Sequence, residues 1–86
     1  MGGIRPETAL ARVQGCWADV VGPAVAAEAQ PVSESGGTLV VACRSALWAQ
    51  ELELSAADLL KRLNAALGGE GGADLTGLRP KVAPLP

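Results

Sequence analysis

Few side chains in this 86-residue chain are of a type that could do chemistry, and their spacing argues against each obvious use. There is no histidine. The commonest general base, the Cys–His nucleophile pair and the histidine metal site are therefore excluded. Glu51 and Glu53 come nearest to a carboxylate pair, but two residues apart on a helix they diverge. Cys16 and Cys43 lack a C-x-x-C spacing, and Cys16 has no helper group nearby in sequence. Both sit among apolar residues, where a free thiol behaves as a small hydrophobe. The chain is expected to be no enzyme, with no catalytic residue, metal, cofactor or small-molecule substrate.

The glycine cluster Gly68-Gly69-Glu70-Gly71-Gly72 could be taken for a phosphate loop. It lacks the Lys-Ser or Lys-Thr ending of a nucleotide loop, and it follows a helix instead of leading into one. It also contains G-x-x-G, the backbone clamp of KH domains, but that clamp joins two helices and is usually basic. A hinge loop is the better reading.

Recognition is left to cations and tryptophans. Arg44 ends a strand pattern, while Arg79 and Lys81 alternate outward on another. If those strands are neighbours, three cations lie together and could meet phosphate or an acidic partner. The plainer reading is solvated charge that discourages strand-to-strand aggregation. Lys61 and Arg62 form a second, weaker set on a helix, partly neutralised by Asp58 at i,i+4. Trp17 and Trp48 could be stacking platforms or partner hot spots. With no Phe and no Tyr in the chain, filling the core is the favoured role for both.

These residues need elements to hold them. Eighty-six residues, 49% hydrophobic, make one domain, expected over 5–82 with flexible ends at 1–4 and 83–86. A chain this short buries roughly 60–65% of its unfolded surface. The net charge of −2 argues against strong non-specific nucleic-acid affinity, because phosphate neutralisation supplies most of it. No apolar run approaches the ~18 residues of a membrane span, and no signal core opens the chain. With free thiols, this reads as a cytoplasmic protein.

Pro6 and Glu7 suit the first turn of a helix. Leu10, Val13, Trp17, Val20 and Val21 then share a helical stripe that Gly22 and Pro23 end. Pro23 can open a short helical turn. Val32–Ser35 predicts a weak edge strand after Pro31, Gly36-Gly37 a tight turn, and Thr38–Arg44 a central strand with Leu39 and Val41 on one face. Ser45 is a candidate N-cap for a long helix whose stripe holds Trp48, Leu52, Leu59 and Leu63. Ser55–Asp58 fits a capping pattern, but the stripe keeps phase there, so one continuous helix is expected. Leu75–Val82 predicts a third strand, Leu78 and Val82 inward, at an edge because of Pro80. The expected core is Trp17, Val21, Leu39, Val41, Trp48, Leu52, Leu59 and Leu63. The order helix-strand-strand-long helix-strand is an α+β fold, a three-stranded sheet covered by helices.

One set of motifs is familiar. Trp17 with Val20-Val21-Gly22, Gly37 with Leu39 and Val41, Ser45 with Trp48-Ala49 and Glu51-Leu52, and Leu63-Asn64 together resemble the DciA family of bacterial proteins. The resemblance covers Leu10 to Val82. It implies a KH-like α+β domain, with Ser55–Asp58 standing where the KH clamp would be. It also implies a replication adaptor that associates with the DnaB-type replicative helicase and helps to load it. Many family members bind DNA, often through a basic extension. This acidic chain shows no such arm, so weak DNA binding through Arg44, Arg79 and Lys81 is the expectation. Two rival readings remain: a stand-alone KH-like binder of single-stranded nucleic acid, and a homodimerising structural module.

Overall fold

The computed structural model describes residues 9–68 and 75–85. The expected helix start at Pro6, the end at 1–4 and the loop at 69–74 lie outside the described residues. The elements are α1 (Ala9–Val21), α2 (Pro23–Glu28), β1 (Ala29–Ser35), β2 (Thr38–Cys43), α3 (Ala46–Leu54), α4 (Ala56–Leu67) and β3 (Gly77–Val82). They form an α+β fold around a mixed three-stranded sheet ordered β1-β2-β3. Among the described residues, no helix is long and apolar enough to cross a membrane.

The strand with apolar residues on both faces is the central one. β2 pairs antiparallel with β1 and parallel with β3. The hairpin closes through Gly36 and Gly37, with φ of 58° and 91°. Two consecutive positive φ angles suit a tight hairpin turn and cost glycine nothing. β1 is longer than the predicted Val32–Ser35, because pairing starts at Ala29 and passes Pro31 with a register shift before Ser33. The proline is tolerated because its position faces away from β2: Arg44 N–H donates to Glu28 O at 2.9 Å, so Glu28 and Gln30 face the ladder while Ala29 and Pro31 face out. Pro80 solves the same problem on β3. Gly77 and Ala83 N–H donate to Gly37 and Cys43 O, so the odd residues bond β2 and Pro80 needs no donor.

Leu39, Val41 and Cys43 are fully buried on one face of β2 and join Val13, Trp17, Leu52, Leu59 and Leu63 in a single core. Val40 and Ala42 point to the opposite face and take no part in that cluster. Two expected core residues, Val21 and Trp48, are half-buried and pack against this core from its edge. Val82, expected inward, is 58% exposed. It pairs with Cys43 at the end of the edge strand, past the helices' cover.

The long helix is interrupted. Ser55 has φ −99° and ψ 8°, and its side chain caps nothing. Both backbone links survive: Ser55 N–H donates to Glu51 O at 3.1 Å, and Leu59 N–H to Ser55 O at 2.9 Å. Retaining the links keeps the apolar stripe in phase, which is why periodicity alone conceals the break. The ψ angle, about 50° from the helical value, re-aims the chain. α3 thereby packs on β3 and β2, while α4 packs on α1.

Most of the polar side chains that bridge elements bond backbone. Trp17 Nε1 donates to Ala29 O at 2.8 Å, and Gln14 Nε2 to Pro31 O at 3.1 Å. Two outward carbonyls of β1 are thus sealed by α1. Asn64 acts as a surrogate strand: its Nδ2 donates to Leu75 O at 2.9 Å and its Oδ1 accepts from Leu75 N–H at 2.8 Å. This explains why Leu75, predicted as part of the strand, is buried although β3 begins at Gly77.

Candidate partner-binding surfaces

Alternation along β2 and β3 gives the sheet a face away from the core, and the cations divide upon it. Arg79 pairs with Val40 and Lys81 with Ala42. Both are exposed, and they border one shallow depression with Val40 and Pro80. Ala42 is nonetheless 1% exposed. It lies between Gln30 and Lys81 in register, and long side chains lay their stems over small neighbours.

Arg44 is anchored by its own side chain. Its Nε donates to Ala27 O at 3.2 Å, turning the guanidinium toward the end of α2. It borders a different hollow with Val82, Ala83 and Leu85. Of the three expected cations, two thus share a depression and the third is tied to α2. Lys61 and Arg62 are exposed on α4, and Arg62 Nε meets Asp58 Oδ2 at 2.9 Å. Among the described residues, Lys61 of that set has no ion pair.

A second surface comes from the break at Ser55. Where α3 turns into α4 opposite the α1–α2 junction, the helices leave a cleft of about 270 Å³. Its buried depth is Leu52 and Leu59, with half-buried Val21 and Val25 on one wall and Trp48 on the other. Glu51, Ser55, Asp58 and Arg62 form the rim. The Trp48 backbone N–H is fixed by the Ser45 Oγ cap at 3.3 Å. Its indole N–H makes no hydrogen bond among the described residues, and since no fully buried side-chain polar atom there lacks a partner, this donor is not fully buried. The Glu51 carboxylate likewise has no partner among the described residues.

Sequence reasoning assigned Trp48 to the core and gave Glu51, Ser55 and Val25 no part in a binding surface. The available signals were the capping pattern at Ser55, which marks a break, and Leu47 and Leu54, which fall off the core stripe. Those leucines are 65% and 77% exposed.

Among the described residues, both thiols have altered acidity. Burial pushes Cys43 up, with the Lys81 backbone partly opposing it. Burial also pushes Cys16 up, against its own backbone, with smaller effects from Asp19 and Arg12. Both are free, and neither is poised as a nucleophile.

Comparison with known proteins gives a family. The family model described as "Dna[CI] antecedent, DciA" matches residues 2–75, ending just before β3. The chain is similar to a UPF0232 protein of Mycobacterium leprae (strain Br4923), 40% identical over 62 residues, 72% of this chain and 33% of that protein. A UPF0232 protein of Rhodococcus jostii (strain RHA1) is 35% identical over 66 residues, 77% and 35% of the two chains. One from Mycobacterium tuberculosis (strain H37Rv) is 38% identical over 58 residues, 67% and 31%. The chain thus matches about a third of the length of these relatives.

Proposed function

From the premise that the chain belongs to the DciA family, we propose that it is a non-enzymatic adaptor of bacterial DNA replication that associates with the DnaB-type replicative helicase. The family match over residues 2–75 is the observation that carries this reading. The motif residues support it by their roles. Trp17 ties α1 to β1, Gly37 starts the hairpin's return, Ser45 caps α3, and Leu63-Asn64 pin the chain before β3. They build a scaffold that presents surfaces, which is what an adaptor needs. In a KH-like reading the clamp would fall at the break between α3 and α4, at Ser55. With serine there in place of glycines, backbone gripping of a nucleic acid is not part of the reading.

DNA contact, in this account, is weak and electrostatic, through Arg79 and Lys81 with Arg44 at a distance. Two neutralised phosphates on a single strand give a slope of log K against log salt of about −1.4. The test of the adaptor reading is binding of the purified chain to the replicative helicase of the same organism. Association at micromolar concentration is expected. A folded chain that shows none would overturn the reading.

A further inference from the structure

The cleft beside Trp48 has a chemical character of its own. Asp58 and Arg62 neutralise one another at 2.9 Å, so the carboxylate of Glu51 is the uncompensated charge on the rim. Trp48 and Glu51 are three apart on α3, hence neighbours on its surface. An indole face beside a lone carboxylate suits a guanidinium or ammonium group, which gains from the ring's quadrupole and from the ion pair together. The rim continues into apolar surface. Leu47 lies four residues before Glu51 and Leu54 three after it, and both are largely exposed. α3 therefore shows leucine on its outer side as well as burying Leu52 on its inner one, a pattern normal for a helix covered on both sides. The side chain of Glu51, a member of the family motif, makes no bond among the described residues.

We propose that this cleft and the outer side of α3 seat a basic, apolar segment of a protein partner, with its cation stacked on Trp48 and paired to Glu51. Leucine-type side chains of the same segment cover Leu47 and Leu54. Charge complementarity selects this occupant: an acidic segment would meet Glu51 unshielded, while a purely apolar one would leave that carboxylate desolvated and unpaired. The inference deepens the adaptor reading and rests on it for the partner's identity, though not for the chemistry of the seat.

The test follows the indole N–H resonances of the intact chain by NMR. The chain is titrated with a short capped amphipathic peptide of leucine, alanine and a central arginine, and with the same peptide bearing glutamate in place of arginine. The Trp48 resonance is expected to shift with the first peptide and not the second. Glu51→Gln should weaken binding about fivefold and Glu51→Lys about tenfold or more, with unchanged thermal unfolding because the residue is exposed. No shift at Trp48, equal binding of both peptides, or indifference to Glu51 would each overturn the proposal. The helicase is then titrated separately. If it binds wild type and Glu51→Lys alike, the cleft is not its seat and the adaptor reading stands. If it fails to bind wild type while the peptide binds, the seat stands and the adaptor reading falls.

Discussion

Trp17 and Trp48 occupy the same helical layer and the same family pattern, and both pack on one core, but they differ in burial and in the fate of the indole N–H. Trp17 is 3% exposed, and its indole N–H bonds the outward carbonyl of Ala29. Its whole surface and its one polar atom are committed to holding α1 on β1. Trp48 is half-buried against the edge of the core, it lines a cleft beside Glu51, and its indole N–H has no partner among the described residues. A large aromatic side chain in a small, alanine-rich protein is thus no proof of a core position. What separates the two is whether the polar handle is satisfied internally.

Substitution should separate them further. Trp17→Ala removes a fully packed side chain and leaves Ala29 O without its partner. A loss of about 3–5 kcal/mol is expected in denaturant unfolding. Trp48→Ala should cost about half as much, because part of that ring never left water. Equal losses would place both rings in the core. Asn64→Ala comes next. It strips partners from both backbone groups of Leu75, and about 1–3 kcal/mol should disappear. The effect should appear as faster amide exchange at Leu75 before global unfolding, since that residue begins the approach to β3.

The smallest effect concerns the thiols. Cys43 is fully buried beneath the helices and Cys16 is half-buried on α1, so alkylation at neutral pH should be slow at Cys16 and slower at Cys43. Folding raises both pKa values above the ordinary 9.0. The folded state therefore holds these protons more tightly than the unfolded state. Their contribution to stability is whole below pH 9 and is lost as pH rises through the folded values. Unfolding experiments across that window should show stability falling with pH, and replacing Cys43 with alanine should blunt the fall.

The elements were largely legible in the sequence because each carries a strong local signal. Helix α1 has an unbroken stripe ended by Gly22, whose φ of 92° needs glycine. The hairpin has Gly36-Gly37, and β2 has its two apolar faces. The misreadings arose where local pattern and tertiary placement part. The stripe through Ser55 keeps phase because the backbone bonds survive the change in direction, so one long helix and two shorter ones look alike to periodicity. Val82 continues an apolar alternation, but it lies at the edge strand's end, where little covers it. Arg44 follows the alternation of Val40 and Ala42, yet a carbonyl in α2 captures its guanidinium, and no spacing rule announces that. The cleft was the least legible feature, because it exists only where the α1–α2 junction meets α3 and α4.

The division of labour between the two tryptophans is tested most directly by hydrogen–deuterium exchange at their indole nitrogens in the intact, unliganded chain. The Trp17 proton, bonded at 2.8 Å inside the core, should be protected at least about a hundredfold over that of Trp48, which should exchange at close to the rate of a free indole. Comparable protection of both protons, or a slower Trp48, would contradict the account.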